Sequence, residues 1–116
     1  MKVTAVLFML LFGAISMNAQ SSLNGIWNTG QANAKIEIKS ENGIYNGEII
    51  SSDNSNVKKG TLVLKEVKSV SDKWEGKLYS LKKKKWFDAV LELKGSKLMV
   101  TVKSGWQSKT VEWTKS

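Results

Sequence analysis

Four carboxylates within the predicted strands of this 116-residue sequence could do acid–base chemistry: Glu48, Glu75, Asp88 and Glu92. A pair of carboxylates can hydrolyse a glycosidic bond, one acting as the acid and the other as the base or nucleophile. Each of the four, however, lies on a strand face that is otherwise polar and is expected to be solvated. The chain has no His and no Cys, which excludes the usual zinc sites, a Cys nucleophile and a Ser-His-Asp triad. We therefore expect no enzyme activity, no metal and no cofactor.

Aromatic residues are the next candidates for a functional site, because five Trp are many for so short a chain. Trp and Tyr combine a flat apolar face with one hydrogen-bonding atom, which suits sugar rings, acyl chains or aromatic ligands. We expect three Trp to pack inside the fold and two to lie outside or at a rim: Trp27, Trp74 and Trp113 inside, and Trp86 and Trp106 at the rim.

The charge of the chain is strongly positive, with a net charge of +8, and every cation is Lys. Since bidentate recognition of guanine and phosphate favours Arg, we expect no nucleic-acid partner. The four consecutive cations Lys82, Lys83, Lys84 and Lys85 predict a solvated hairpin tip. Together with Trp86 and Trp106 they form a candidate surface patch for anionic glycan or lipid headgroups. The alternative is that these Lys serve solubility and shield strand edges.

The amino terminus is typical of a secretory leader. Lys2 precedes an apolar run from Val3 to Ile15, and Ala19 supplies a small residue at the cleavage point. The run is shorter than the roughly 20 residues of a membrane span. We therefore predict a cleaved signal peptide at 1–19, a single mature domain at 20–116 without a transmembrane span, and a periplasmic or secreted location. The oligomeric state stays open.

From Ile26 onwards the apolar residues recur with a period close to two, and no helical stripe is present. Asn42-Gly43 indicates a type I′ hairpin, and 52–60 is the longest polar linker, expected to be the most mobile loop. Eight short strands in sequence favour a closed, eight-stranded antiparallel up-and-down β-barrel, with a two-sheet β-sandwich as the runner-up. The predicted strands are 25–29, 34–39, 44–51, 61–67, 73–81, 86–93, 97–103 and 107–115.

The barrel interior is the first candidate site, because eight strands enclose just enough space for side chains or one small ligand. A small hydrophobic or amphipathic ligand would contact the residues predicted to face inwards, which include Tyr45, Leu62, Leu64, Leu78, Phe87, Leu91 and Val100. A solidly packed structural protein of the envelope is the alternative, and the sequence does not distinguish an open interior from a filled one.

Gly25-x-Trp27 resembles the lipocalin signature, in which a Trp of the first strand plugs one end of the barrel and a cation of the last strand lies over its ring. Lys115, two residues after Trp113, matches that cation. The resemblance therefore implies a lipocalin-like barrel with a plug made of Trp27, Trp113 and Lys115.

Further spaced motifs are similar to a family of small exported bacterial proteins catalogued as domain of unknown function 2147. These motifs span the mature chain: Tyr45-x-Gly47-x-Ile49, Trp74-x-Gly76-x-Leu78-Tyr79 and Trp113-Thr114-Lys115. The family usually has an Asp-Pro turn after the Tyr that Tyr79 matches, whereas 80–85 of this chain is Ser-Leu-Lys-Lys-Lys-Lys. The resemblance implies the fold and export, and it implies no established reaction.

Overall fold

A computed structural model describes residues 23–116, and the predicted signal peptide lies outside this part of the chain. The described residues form eight strands and no helix: β1 (Gly25–Asn28), β2 (Lys35–Glu41), β3 (Ile44–Ser51), β4 (Leu62–Val70), β5 (Lys73–Ser80), β6 (Lys85–Lys94), β7 (Lys97–Ser104) and β8 (Gln107–Lys115). Each strand pairs with the next, and β8 pairs with β1. All these pairings are antiparallel, so the predicted closed up-and-down barrel is confirmed and the sandwich is wrong. Residues 23–116 contain no helix long and apolar enough to span a membrane.

The strand boundaries follow from the alternation of apolar residues. The strands β3 and β8 have the predicted bounds, and the other six differ from prediction by one to three residues. The predicted hairpin turn between β2 and β3 has positive φ at both central residues, 55° at Asn42 and 83° at Gly43. These are the backbone angles that a type I′ turn requires, so local turn chemistry sets the register of β2 against β3.

Strand β4 departs from simple alternation at its start, and this corrects one predicted position. Leu62 was expected to face inwards, but it is opposite Glu48 and 39% exposed on the outer face. Val63 and Leu64 are both buried, and Leu64 lies opposite Gly47. Residues 62–64 of β4 therefore span only two positions of β3, Gly47 and Glu48, and the extra residue on β4 makes a β-bulge. The inward prediction for Leu62 is wrong because a strict period of two does not allow for that residue.

A second irregularity in β4 changes which residues face inwards further along the strand. The register against β5 shifts between Lys65 and Lys68, and Glu66 has a φ of 56°. Val67 consequently points into the barrel and is completely buried. It packs directly onto Gly76 of β5, where a Cβ atom would lie 2.5 Å from Val67 Cγ2 and 2.8 Å from its Cα. Gly76 thus makes room for the bulge.

The interior is filled by one cluster of side chains. A Cβ atom at Gly47 would lie 2.9 Å from Ile36 Cγ2 and 3.2 Å from Leu64 Cβ, so a methyl group at Gly47 or Gly76 would displace the atoms beside it. The buried members of the cluster are Leu23, Trp27, Ile36, Ile38, Ile49, Val63, Leu64, Val67, Ala89, Leu91, Leu98, Val100 and Trp113.

We predict that a methyl group at either inward-facing glycine destabilises the barrel, and that the effect is larger at Gly76. Gly47→Ala crowds side-chain atoms that can shift and should cost about 1 kcal/mol, whereas Gly76→Ala meets the backbone of β4 and should cost about 3 kcal/mol. Chemical denaturation of both variants measures the two free energies of unfolding. Equal stabilities, or a less stable Gly47→Ala, would show that the packing against β4 is not the limiting contact.

Candidate functional site

The up-and-down topology divides the connections of the barrel between its two ends. The turns 29–34, 52–61, 81–84 and 105–106 lie together at one end, which we call the basic end. The opposite end, called the plug end, has the turns 42–43, 71–72 and 95–96, the start of β1 and the end of β8. Each candidate residue can therefore be assigned to an end from its strand and direction.

The plug end is closed by Trp27, whose side chain is only 1% exposed. Its indole Nε1 donates a hydrogen bond to the Leu23 carbonyl oxygen at 3.0 Å. Lys115 lies over the ring with Nζ 4.6 Å from the ring centroid, and it also donates to the Asn24 carbonyl oxygen at 3.1 Å. Gly25 leaves room for this Lys, because a Cβ atom there would be 2.8 Å from Lys115 Nζ. These contacts explain Gly25-x-Trp27 as a packing motif.

Two other Trp residues also contribute to the wall of the barrel. Trp113 is 4% exposed and lies opposite Leu98 of the neighbouring strand. Trp74 is half-buried and packs against the core from β5. Their apolar faces therefore contact the barrel itself.

The charges of the turns are segregated between the ends. The turns of the basic end contain five Lys and one acidic residue: Lys58, Lys59, Lys82, Lys83, Lys84 and Asp53. The three turns of the plug end contain Asp72 and no Lys. The Asp53 carboxylate is engaged by the Asn33 amide, which donates to it at 2.8 Å. Positive charge therefore dominates the basic end.

The lysines in the turns of the basic end do not take part in the ion pairs of the described barrel. The ion pairs within residues 23–116 join Lys39 to Glu37, Lys73 to Glu92, Lys77 to Asp88 and Lys97 to Glu112. All four pairs belong to strands, and none involves a turn of the basic end. An external anion would therefore meet turn lysines that are not already paired with a carboxylate of the described barrel.

The predicted Lys tip is an ordered turn on the basic end. Ser80 organises it, because its hydroxyl oxygen accepts from Lys83 N at 3.0 Å and its carbonyl oxygen accepts from Lys84 N at 2.7 Å. Lys84 has a φ of 57°. Lys85 is the first residue of β6 and lies opposite Ser80, so it belongs to the strand. Lys82, Lys83 and Lys84 are exposed, as predicted for a solvated tip.

The two Trp residues predicted at a rim have different surroundings. Trp86 faces outwards opposite Tyr79, with the two rings edge to face at a centroid distance of 5.2 Å. Lys65 Nζ covers the Trp86 ring at 4.2 Å, so this Trp is half-buried on the barrel wall. Trp106, in contrast, is 95% exposed at the tip of the β7–β8 turn. Of the two, Trp106 is therefore the ring that is open to a partner.

The residues predicted to contact a ligand inside the barrel fall into different environments. Leu64, Leu91 and Val100 are completely buried within the core cluster, and Leu62 faces outwards as described above. Tyr45 is half-buried near the start of β3, towards the plug end.

Leu78 and Phe87 are the two interior candidates that lie next to lysine side chains. They are directly opposite each other and half-buried. The ammonium groups of Lys83 and Lys85 each lie 5.6 Å from the centroid of the Phe87 ring. An apolar pair with two cations beside it is thus present at the mouth of the basic end.

The four carboxylates considered for acid–base chemistry do not converge. No two of them are opposite each other in neighbouring strands. Asp88 accepts a hydrogen bond from Lys77 at 2.6 Å, and this contact holds the pKa of Asp88 below its usual range while raising the pKa of Lys77. Asp88 is therefore ionised at neutral pH and has no proton to donate. Within residues 23–116, no group of three or more acidic side chains is arranged to hold a metal ion.

Three residues of the basic end were missed by the sequence reasoning: Lys58, Lys59 and Leu81. Lys58 and Lys59 lie in the loop predicted as the most mobile, and this loop is tied to the first turn by Asp53 N donating to the Ala32 carbonyl oxygen at 2.8 Å. The signal was available, because alternate turns of an up-and-down barrel lie at the same end. Lys58 and Lys59 are therefore at the same end of the barrel as Lys82–Lys84.

Comparison of the chain with protein-family models, with curated proteins and with solved structures finds no significant match.

We predict that Lys115→Met destabilises the barrel by about 1 to 2 kcal/mol, because it removes the cation from the Trp27 ring and the hydrogen bond to Asn24 while keeping an apolar stem. Thermal and chemical denaturation measure the change. Lys94→Met, at an exposed position of the same end, is the matched control and should change stability by less than about 0.5 kcal/mol. Equal stabilities for the two variants would contradict the role of Lys115 in the plug.

Proposed function

We propose that this chain is an exported, non-enzymatic barrel protein that docks through its basic end on an anionic surface of the cell envelope. The observation that supports this most directly is the segregation of turn charge, with five Lys and one Asp at the basic end and no Lys in the turns of the plug end. The predicted leader at 1–19 supports export. The resemblance to domain of unknown function 2147 belongs to the same proposal.

Electrostatics favour an end-on approach to such a surface. Each Lys close to an anionic membrane or polymer contributes about 1 kcal/mol, and the attraction decays within a Debye length of about 10 Å at 0.1 M salt. Lysines gathered at one end can all lie within that distance of a flat surface at the same time. Lysines spread evenly around the barrel could not.

The packing of the barrel also supports a surface role. The residues that would line a central cavity, such as Leu64, Leu91 and Val100, are completely buried against one another. A methyl group at Gly47 or Gly76 would have to displace the atoms of the neighbouring strands. With the core cluster filling the interior, the turns at the basic end and the outer face are the parts of the barrel that can meet a partner.

We predict that neutralising the Lys tip weakens binding to a polyanion by about 100-fold, since three Lys contribute about 1 kcal/mol each. The variant is Lys82→Ser, Lys83→Ser, Lys84→Asn, with Asn chosen because it tolerates the positive φ at position 84. Binding to dextran sulfate is measured at several salt concentrations, and the salt dependence should be shallower for the variant than for the parent protein.

The matched control carries the same loss of charge at the plug end, as Lys39→Thr, Lys68→Thr and Lys94→Thr. It should retain most of the affinity, because these residues lie far from the basic end along their strands. If both triple variants lose the same affinity, then net charge alone governs binding and the docking surface is not the basic end. If the parent protein binds neither dextran sulfate nor anionic vesicles at low salt, the proposed function is wrong.

The mouth of the barrel supports a second candidate function, the binding of a small amphipathic anion. Leu78 and Phe87 offer a half-buried apolar surface, and Lys83 and Lys85 lie beside the Phe87 ring. An acyl chain could contact the apolar pair while its carboxylate contacts the two ammonium groups. Such a ligand would lie at the mouth, since the residues deeper in the barrel are fully buried.

We predict that a fluorescent fatty acid binds at this mouth and that Lys85→Met weakens it by about tenfold, through loss of a hydrogen bond to a charged group. Fluorescence titration measures the affinity. Lys82→Met, a change of the same kind in the adjacent turn, is the control and should leave the affinity nearly unchanged. This candidate is removed if the parent protein does not bind the probe and organic extraction of the purified protein yields no lipid.

A further inference from the structure

Trp106 is the most exposed of the large apolar side chains in the described barrel, at 95%. It occupies a two-residue turn with Gly105, whose φ of 67° suits the first central position of a type II′ turn. Ser104 and Gln107 pair on either side of this turn, so the strands extend up to it. The indole N–H makes no hydrogen bond to any residue from 23 to 116. A tight hairpin turn therefore presents a nearly fully exposed indole ring to the outside.

Leu81 provides a second apolar side chain at the same end. It is 44% exposed and begins the turn that continues as Lys82, Lys83 and Lys84. The β5–β6 and β7–β8 turns are two strand positions apart, which is about 10 Å at the usual spacing of neighbouring strands. Both apolar groups can therefore reach one flat surface together, with lysines beside them.

The combination of these groups distinguishes between the anionic surfaces that lysines alone would attract. A sugar is recognised by an aromatic ring together with fixed hydrogen-bonding side chains around it. Trp106 is instead 95% exposed between Gly105 and Gln107, and the neighbouring β5–β6 turn adds Leu81 and three Lys. The Trp106 indole, the Leu81 side chain and the lysines beside them suit the headgroup region of a bilayer. Trp is enriched in that region, and Lys there meets anionic lipids.

We infer that the surface on which the basic end docks is an anionic lipid bilayer, and that Trp106 and Leu81 enter its interface. The inference rests on the proposed function and makes it more specific by naming the partner. The barrel then stands end-on, with the β5–β6 and β7–β8 turns in contact with the lipid and the plug end directed away from it. Lysines bring the protein to the surface, and the two apolar side chains keep it there.

The test uses vesicles of phosphatidylglycerol and phosphatidylcholine, with dextran sulfate as a soluble polyanion without an apolar phase. Trp106→Ser should weaken vesicle binding by at least about tenfold, as expected for the loss of a buried apolar side chain, and should leave dextran sulfate binding unchanged. Leu81→Ser should give a smaller loss. In the parent protein, brominated lipid should quench Trp fluorescence, and Trp106→Phe should remove most of that quenching.

Val70→Ser is the matched control, because Val70 is as exposed as Leu81, at 44%, but lies at the plug end. It should bind vesicles as the parent protein does. Every variant carries the same amino-terminal residues, so a difference between variants reports the barrel. Thermal denaturation should give nearly equal melting temperatures, since these side chains are exposed.

The outcomes separate the inference from the proposed function. If the parent protein binds dextran sulfate but not the vesicles, or if Trp106→Ser binds vesicles normally, the bilayer inference is overturned while docking on an anionic polymer is retained. If the parent protein binds neither probe, the proposed function fails and the inference fails with it. Weaker vesicle binding in Trp106→Ser and, to a smaller degree, in Leu81→Ser, with dextran sulfate binding retained and Val70→Ser unaffected, supports both.

Discussion

The closure of the sheet between its first and last strands is the constraint on which the rest of the barrel depends. The strand β1 has four residues and pairs with β8 at only two positions, whereas β7 and β8 pair at eight. One further backbone hydrogen bond, from Ser116 N to the Ile26 carbonyl oxygen, crosses this seam at 2.9 Å. So short a ladder offers little stability by itself, and the contacts around Trp27 compensate. Lys115 and Asn24 are 91 positions apart, so their hydrogen bond also joins the two ends of the described chain. Forming it closes a long loop, which has an entropic cost.

The contacts that close the barrel all lie at the plug end, and the turns of the basic end take no part in them. Trp27, Leu23 and Lys115 occupy the plug end, and the core cluster fills the barrel behind them. The turns of the basic end do not take part in closing the barrel, and they can therefore carry charge that a structural site could not. Mutual repulsion among Lys82, Lys83 and Lys84 is tolerated at a solvated tip and would be relieved by an anionic partner. The proposed docking surface and the contacts that close the barrel therefore lie at opposite ends of the molecule.

Much of this arrangement could be predicted from the sequence, because short antiparallel strands with one buried face leave a clear alternation. The bounds of β3 and β8, the Asn42-Gly43 turn and the exposed Lys tip all follow from local rules. Strand β4 could not be predicted in the same way, since its two irregularities depend on space supplied by glycines on neighbouring strands. Leu62 was placed inside because alternation is a local rule, whereas a bulge is decided across the sheet. The gathering of Lys58 and Lys59 with the Lys tip is a property of topology and not of any single motif.

The motifs that carry the family resemblance acquire a physical explanation that concerns the fold alone. Gly25 leaves space for Lys115 over the Trp27 ring, Gly47 leaves space for Ile36 and Leu64, and Gly76 leaves space for the bulge at Val67. Each of these glycines would be needed in any barrel with this packing, whatever its partner. The segment 80–85 lies outside these motifs and contains the exposed lysines of the tip and Leu81. The residues of the proposed docking surface therefore lie in turns, where the packing explained by these glycines places no requirement.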